Sequence, residues 1–141
     1  MSDPVGRTST HTISAADRYE RGIALKKAGL YKAAIEQFEQ AARERALAVK
    51  AYAQIGLCYK LSGRYEDAVP AFQQALKALP KSSRETVQIL YVLGRTLESL
   101  GRIAETLEAY RWIRREDPAY RDVGERIERL SMRRQGSSKN P

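Results

Sequence analysis

The stretch Gly29–Ala42, "GLYKAAIEQFEQAA", returns 34 residues later as Gly63–Leu76, "GRYEDAVPAFQQAL". Glycine, tyrosine, alanine, phenylalanine and alanine hold the same offsets in both, while most residues between them are unrelated. Gly22 likewise returns as Gly56. A further copy follows after a step of 38 residues, carrying Gly94, Gly101, Ile103, Thr106, Tyr110 and Ile113 at the matching places. Self-similarity at this period is the mark of stacked supersecondary units, none of which can bury its apolar side alone.

Each copy reads as two helices. Gly22, Gly56 and Gly94 fall inside helical patterns, where glycine costs about 1 kcal/mol relative to alanine. Close approach of a second helix accounts for them, with Ala34 and Ala68 as the expected small partners across the contact. Gly29, Gly63 and Gly101 stand where a left-handed residue ends a first helix cheaply. Phe38, Phe72 and Tyr110 fill each pair, and Pro80 and Pro118 stop the second helix. The four extra residues before the third copy fall near Pro80–Glu85 and predict a longer loop or one more helical turn. Thr106 and Ile113, where the earlier copies have alanine, predict looser packing of the last pair. After Pro118, Tyr120, Val123, Ile127 and Leu130 share one helical stripe, with Asp122–Arg126 and Glu125–Arg129 as i,i+4 pairs on the other side.

The expected architecture is all-α. A tail covers residues 1–13, the repeats cover 14–118 (about 15–48, 49–82 and 83–118), a capping helix covers 119–134 and a second tail 135–141. Ser14 is the expected cap of the first helix. Arg18 and Arg21, at positions that are apolar in the later copies, suit the polar outer side of a terminal unit.

These motifs, together with "GLCYKLSGRYEDAVPAFQQALKALP" and "GRTLESLGRIAETLEAYRWIRREDP", resemble the tetratricopeptide repeat family over about Ser14–Pro118. The resemblance implies a right-handed α-solenoid of three helix hairpins plus the C-terminal cap. It also implies that the first helix of each pair lines a hollow in which extended peptides bind. The residues in that register are Tyr19, Ile23 and Lys26, then Lys50, Ala53, Gln54, Leu57 and Lys60, then Gln88, Tyr91, Arg95 and Glu98. Aromatic, aliphatic and cationic types suit a peptide with apolar anchors and acidic groups. One branch of the family grips a terminal carboxylate with a lysine and an asparagine. Tyr19 and Ile23 stand at those places in the first copy, so a receptor of that kind is not implied.

The rest of the chain limits the alternatives. It is 43% hydrophobic and 30% charged, with a formal charge of +8. That composition suits a folded helical domain and acidic partners. His11 is the single histidine and Cys58 the single cysteine. Together they cannot build a zinc site, and no disulfide can form within one chain. The glycines lie at repeat spacing and form no phosphate-binding loop. No nucleophile–base pairing stands out, so neither an enzyme, a metal nor a cofactor is expected. No apolar block resembles a membrane span or a secretory signal, and a cytoplasmic setting is the expectation. The function expected is therefore a non-enzymatic adaptor or scaffold that holds a segment of another protein.

Two further readings start from the third copy. Trp112 replaces Gln40 and Gln74 of the earlier copies and stands beside Arg111, Arg114 and Arg115. Tryptophan and arginine are enriched at interface centres, so Trp112, Arg111 and Arg115, with the C-terminal helix, form a candidate surface for a homo-oligomer. The basic excess also permits nucleic-acid binding. Here Glu116, Asp117, Asp122, Glu125 and Glu128 dilute the local field, and no nucleic-acid module is visible.

Overall fold

The computed structural model describes residues 13–139, with side chains through residue 136. Seven α-helices and no strand occur among the described residues: α1 Ala15–Lys27, α2 Tyr31–Ala41, α3 Ala48–Leu61, α4 Tyr65–Lys77, α5 Ser83–Ser99, α6 Ile103–Glu116 and α7 Val123–Lys139. A single 3-10 turn, Arg45–Leu47, leads into α3. Each α-helix packs on the next along the chain, which makes the molecule an all-α helical-repeat solenoid.

The joint inside each hairpin is the same in all three repeats. Gly29, Gly63 and Gly101 have φ of 79°, 79° and 75°. The glycine N–H reaches back to Lys26, Lys60 or Glu98, and the next residue's N–H to Leu25, Tyr59 or Leu97, at 2.8–3.0 Å. This paired closure satisfies carbonyls that the helix end would leave open and sets the angle of the second helix.

The mid-helix glycines serve the rings. A Cβ on Gly22 would lie 2.5 Å from the Phe38 ring, and one on Gly56 2.5 Å from the Phe72 ring. Gly94 meets Tyr110 in the same way. The partner across the contact is therefore the aromatic of the next helix, not Ala34 or Ala68 as the spacing suggested. Those alanines are themselves fully buried. Three clusters stack along the array: Phe38 with Ala51 and Ile55, Phe72 with Ile89 and Leu93, and Tyr110 with Val123 and Ile127.

The four additional residues of the third repeat lengthen its first helix. α5 has 17 residues against 13 in α1 and 14 in α3. Its start is fixed by a reciprocal box in which Glu85 N–H donates to Ser82 Oγ and Ser82 N–H donates to Glu85 Oε1, each at 3.0 Å. Replacing Ser82 by alanine is expected to lower the unfolding free energy by about 1 kcal/mol in urea titrations. Ser14 caps α1 in the simpler way, accepting from Asp17 N–H.

The third hairpin is not loosely packed. Thr106 and Ile113 are fully buried, and the Thr106 hydroxyl donates to the Arg102 carbonyl at 2.8 Å. α7 runs to Lys139, past the expected end at residue 134. No proline interrupts residues 123–139, and Gly136 alone costs only about 1 kcal/mol. The first twelve residues, including His11, lie outside those described.

Candidate peptide-binding groove

The first helices α1, α3 and α5 carry the register proposed for a partner, and the structure places its members unequally. Tyr19, Val49, Lys50, Ala53, Gln54, Glu85, Gln88 and Ile89 line one open hollow of about 400 Å³ between the three helices. Lys50 and Gln88 are exposed there. Tyr19 rests edge-on against Phe38, with ring centroids 5.4 Å apart, and turns its hydroxyl toward Gln54. Gln54 Nε2 donates to that hydroxyl at 3.4 Å, and Lys26 Nζ donates to Gln54 Oε1 at 2.6 Å. One polar chain thus ties α1 to α3 across the floor. Burial pushes the Tyr19 hydroxyl above its ordinary pKa, against the Gln54 hydrogen bond. It stays protonated at neutral pH and can donate to a ligand carbonyl.

Lys60 is half-buried, and its pKa is lowered first by that burial and then by the neighbouring Arg95 charge. Neither cationic head has a hydrogen bond or an ion pair among the described residues. Ile23 and Leu57 pack partly into the clusters beneath. The hollow thus has an apolar and amide floor with Lys50 and Glu85 in its lining and Lys26 hydrogen-bonded to that floor, while Lys60 and Arg95 lie farther along α3 and α5.

Tyr91 does not belong to that surface. Its ring is buried against Tyr110 and Tyr120, with centroids at 6.1 and 5.6 Å, and Arg121 lies over it. Its hydroxyl donates to Asp122 Oδ1 at 2.8 Å. The register placed Tyr91 correctly on α5, but the turn before α7 folds back across it, which the repeat pattern does not encode. Glu98 is likewise taken. Its Oε1 accepts from Tyr110 Oη and from Arg126 Nη1, both at 3.0 Å, while Arg126 Nε donates to Asp122 Oδ2 at 2.8 Å. The Asp122–Arg126 pair is therefore no surface pair. Arg126 is only 15% exposed and latches α7 onto α5. Burial disfavours ionised Asp122, yet the Tyr91 hydrogen bond and the Arg126 charge hold its carboxyl below the usual range. Val49, Ile89 and Glu85 line the hollow without having been nominated by the register, and of these only Glu85 is polar. Its signal was the Ser82-x-x-Glu85 spacing of a capping box.

Trp112 is half-buried on α6 beside the third cluster, whereas Arg111 and Arg115 are exposed. Cys58 is fully buried, and its thiol pKa is raised by that burial. Among the described residues no group of histidine, cysteine and carboxylate side chains could hold a metal ion. No helix among them is long and apolar enough to cross a membrane.

A family model for the tetratricopeptide repeat matches residues 19–83 and 62–121, and the chain belongs to that family. None of the curated proteins matches it. Among solved structures, MamA superposes with a TM-score of 0.75 at 18% identity, over 92% of this chain and 74% of that one. The first repeat domain of Spaghetti (RPAP3), bound to the HSP90 peptide SRMEEVD, gives 0.69 at 15% identity, over 84% and 90%. The Yersinia enterocolitica type III secretion chaperone SycD, in complex with a peptide of the translocator YopD, gives 0.69 at 13% identity, over 84% and 93%. At such identities the likeness establishes the fold.

Proposed function

We propose that the protein is a non-enzymatic interaction module that holds an extended segment of a partner protein in the hollow of α1, α3 and α5. The observation that carries this reading is the pair of half-buried cations beyond the hollow, Lys60 with Arg95 as its charged neighbour, neither of which has an ion pair among the described residues. Bringing a carboxylate to that pair relieves a like-charge contact and adds charge-assisted hydrogen bonds. Two of the similar solved structures hold peptides of partner proteins, which supports the same use of the fold. The segment that fits carries acidic residues beside an apolar anchor, the anchor resting near Tyr19, Ala53 and Leu57. The helices are formed before binding, so the ordering cost falls mainly on the segment. An affinity on the order of 1 μM is expected for a short one.

Panning a display library of random peptides on the full chain tests this. Recovered sequences are expected to be rich in Asp and Glu next to aromatic or aliphatic residues. The affinity of the best peptide should fall about tenfold in Lys60→Glu and in Arg95→Glu. Tyr19→Phe keeps the packing on Phe38 and isolates the hydroxyl. Recovery of no acidic consensus, or unchanged affinity in both charge reversals with helix content intact, rejects the groove.

A further inference from the structure

On the opposite side of the array, second helices α4 and α6 stand apart over α5 and leave an open groove of about 630 Å³. Its floor is Leu90, Leu93 and Leu97, and its walls include Leu76 of α4 and Trp112 of α6. The preceding joint, between α2 and α4, has Tyr52 and Tyr59 where this one has Leu90 and Leu97, and Gln74 where this one has Trp112. The opening there is smaller, about 440 Å³, and Glu36, Glu39 and Arg64 line it together with Lys32. Two rings are thus exchanged for shorter side chains and an amide for an indole. The result is a larger apolar trough at a position that the repeat pattern leaves polar.

The trough has an acidic rim on α6. Glu105 is paired with Arg102 at 2.8 Å, whereas Glu108 is exposed and has no ion pair among the described residues. Lys81, at one end, donates to the Ala78 carbonyl. The complementary surface occurs on the same chain. Met132 of α7 is 71% exposed, on the side turned away from Leu130, and exposed Arg129 and Arg133 flank it. After Glu128 the helix carries no acid.

We propose that the trough receives α7 of a second copy, with Met132 against Leu90, Leu97 and Trp112, and Arg129 or Arg133 against Glu108. A chain of charge +8 repels its own copies unless opposite patches meet, and these two patches do so. Knob and trough are different surfaces, so the contact is either exchanged within a closed pair or repeated from copy to copy. It leaves the hollow of α1, α3 and α5 free and does not depend on what binds there.

Sedimentation equilibrium of the full chain over a concentration series checks the assignment. A mass above monomer that rises with concentration is expected, and it should weaken as salt screens the rim pairs. Trp112→Ala and Met132→Glu should each weaken association by about tenfold. Glu108→Lys should weaken it less, and combining it with Arg133→Glu should restore part of the loss, which a folding defect cannot do. Circular dichroism verifies that each variant keeps its helices. A monomer at all concentrations overturns the proposal, including the case in which a different protein fills the trough. Association that is indifferent to both Trp112→Ala and Met132→Glu overturns it as well.

Discussion

Gly56→Ala is expected to destabilise the protein by about 2 kcal/mol in chemical unfolding, although alanine is the better helix former. Propensity alone would add about 1 kcal/mol of stability. The new methyl, however, arrives 2.5 Å from the Phe72 ring. That ring is 1% exposed and lies between packed helices, so it can yield only by moving backbone, and overpacking of this kind costs about 1–3 kcal/mol or more. Gly56→Ala combined with Phe72→Leu should lose less than the sum of the two single changes, because the shortened side chain makes room. Two other glycines serve as controls. At Gly63 there is open space but φ is 79°, so alanine there should cost about 1 kcal/mol through backbone conformation. At Gly124, inside α7, nothing lies within 4 Å of an added Cβ. Alanine there should stabilise by up to about 1 kcal/mol. Equal effects at Gly56 and Gly124 would refute the ring-seat account.

Arg126→Met should cost about 3 kcal/mol and release α7. The arginine is 15% exposed and serves both Glu98 and Asp122, and removing one partner of a buried pair leaves the others desolvated and uncompensated. Hydrogen exchange should quicken in α7 more than in α1 or α2. Arg126→Lys should recover only part of the loss, since a compact ammonium lacks the planar fork whose spread N–H groups reach Asp122 and Glu98 at once. The acid limb carries a signature. Asp122 has a lowered pKa in the folded state, so its contribution is fully present above the ordinary aspartate pKa, about 4. It is lost as pH falls through the folded value. The wild-type protein should therefore lose stability on acidification below about pH 4, and Arg126→Met should lose less over that interval. An unchanged acid limb would remove Asp122 from the latch.

The sequence carried the hairpins because their constraints are local or strictly periodic. A glycine at the end of a first helix, a ring nine residues later and a proline after the second helix act within one repeat. What lay across the array was less visible. Gly22, Gly56 and Gly94 announced a close contact, but spacing could not say whether a ring or an alanine met them. Tyr91 stood in the right register for the hollow, and only the path of the chain after Pro118 covers it. Asp122 and Arg126 look like any solvent-facing i,i+4 pair until Glu98 is brought beside them. The floor of Tyr19, Gln54 and Lys26 followed from register alone, since α1 and α3 repeat at 34 residues without insertion.

The Arg126 latch also governs how this scaffold can be lengthened. Residues Glu98, Tyr110, Asp122 and Arg126 form one closed set, so a further unit grafted after Pro118 would carry Asp122 and Arg126 away together and strand Glu98. Duplicating residues 49–82 internally avoids that, because every member of the set lies after residue 82. A protein engineer wanting a longer cradle would insert from the centre and leave the terminus untouched.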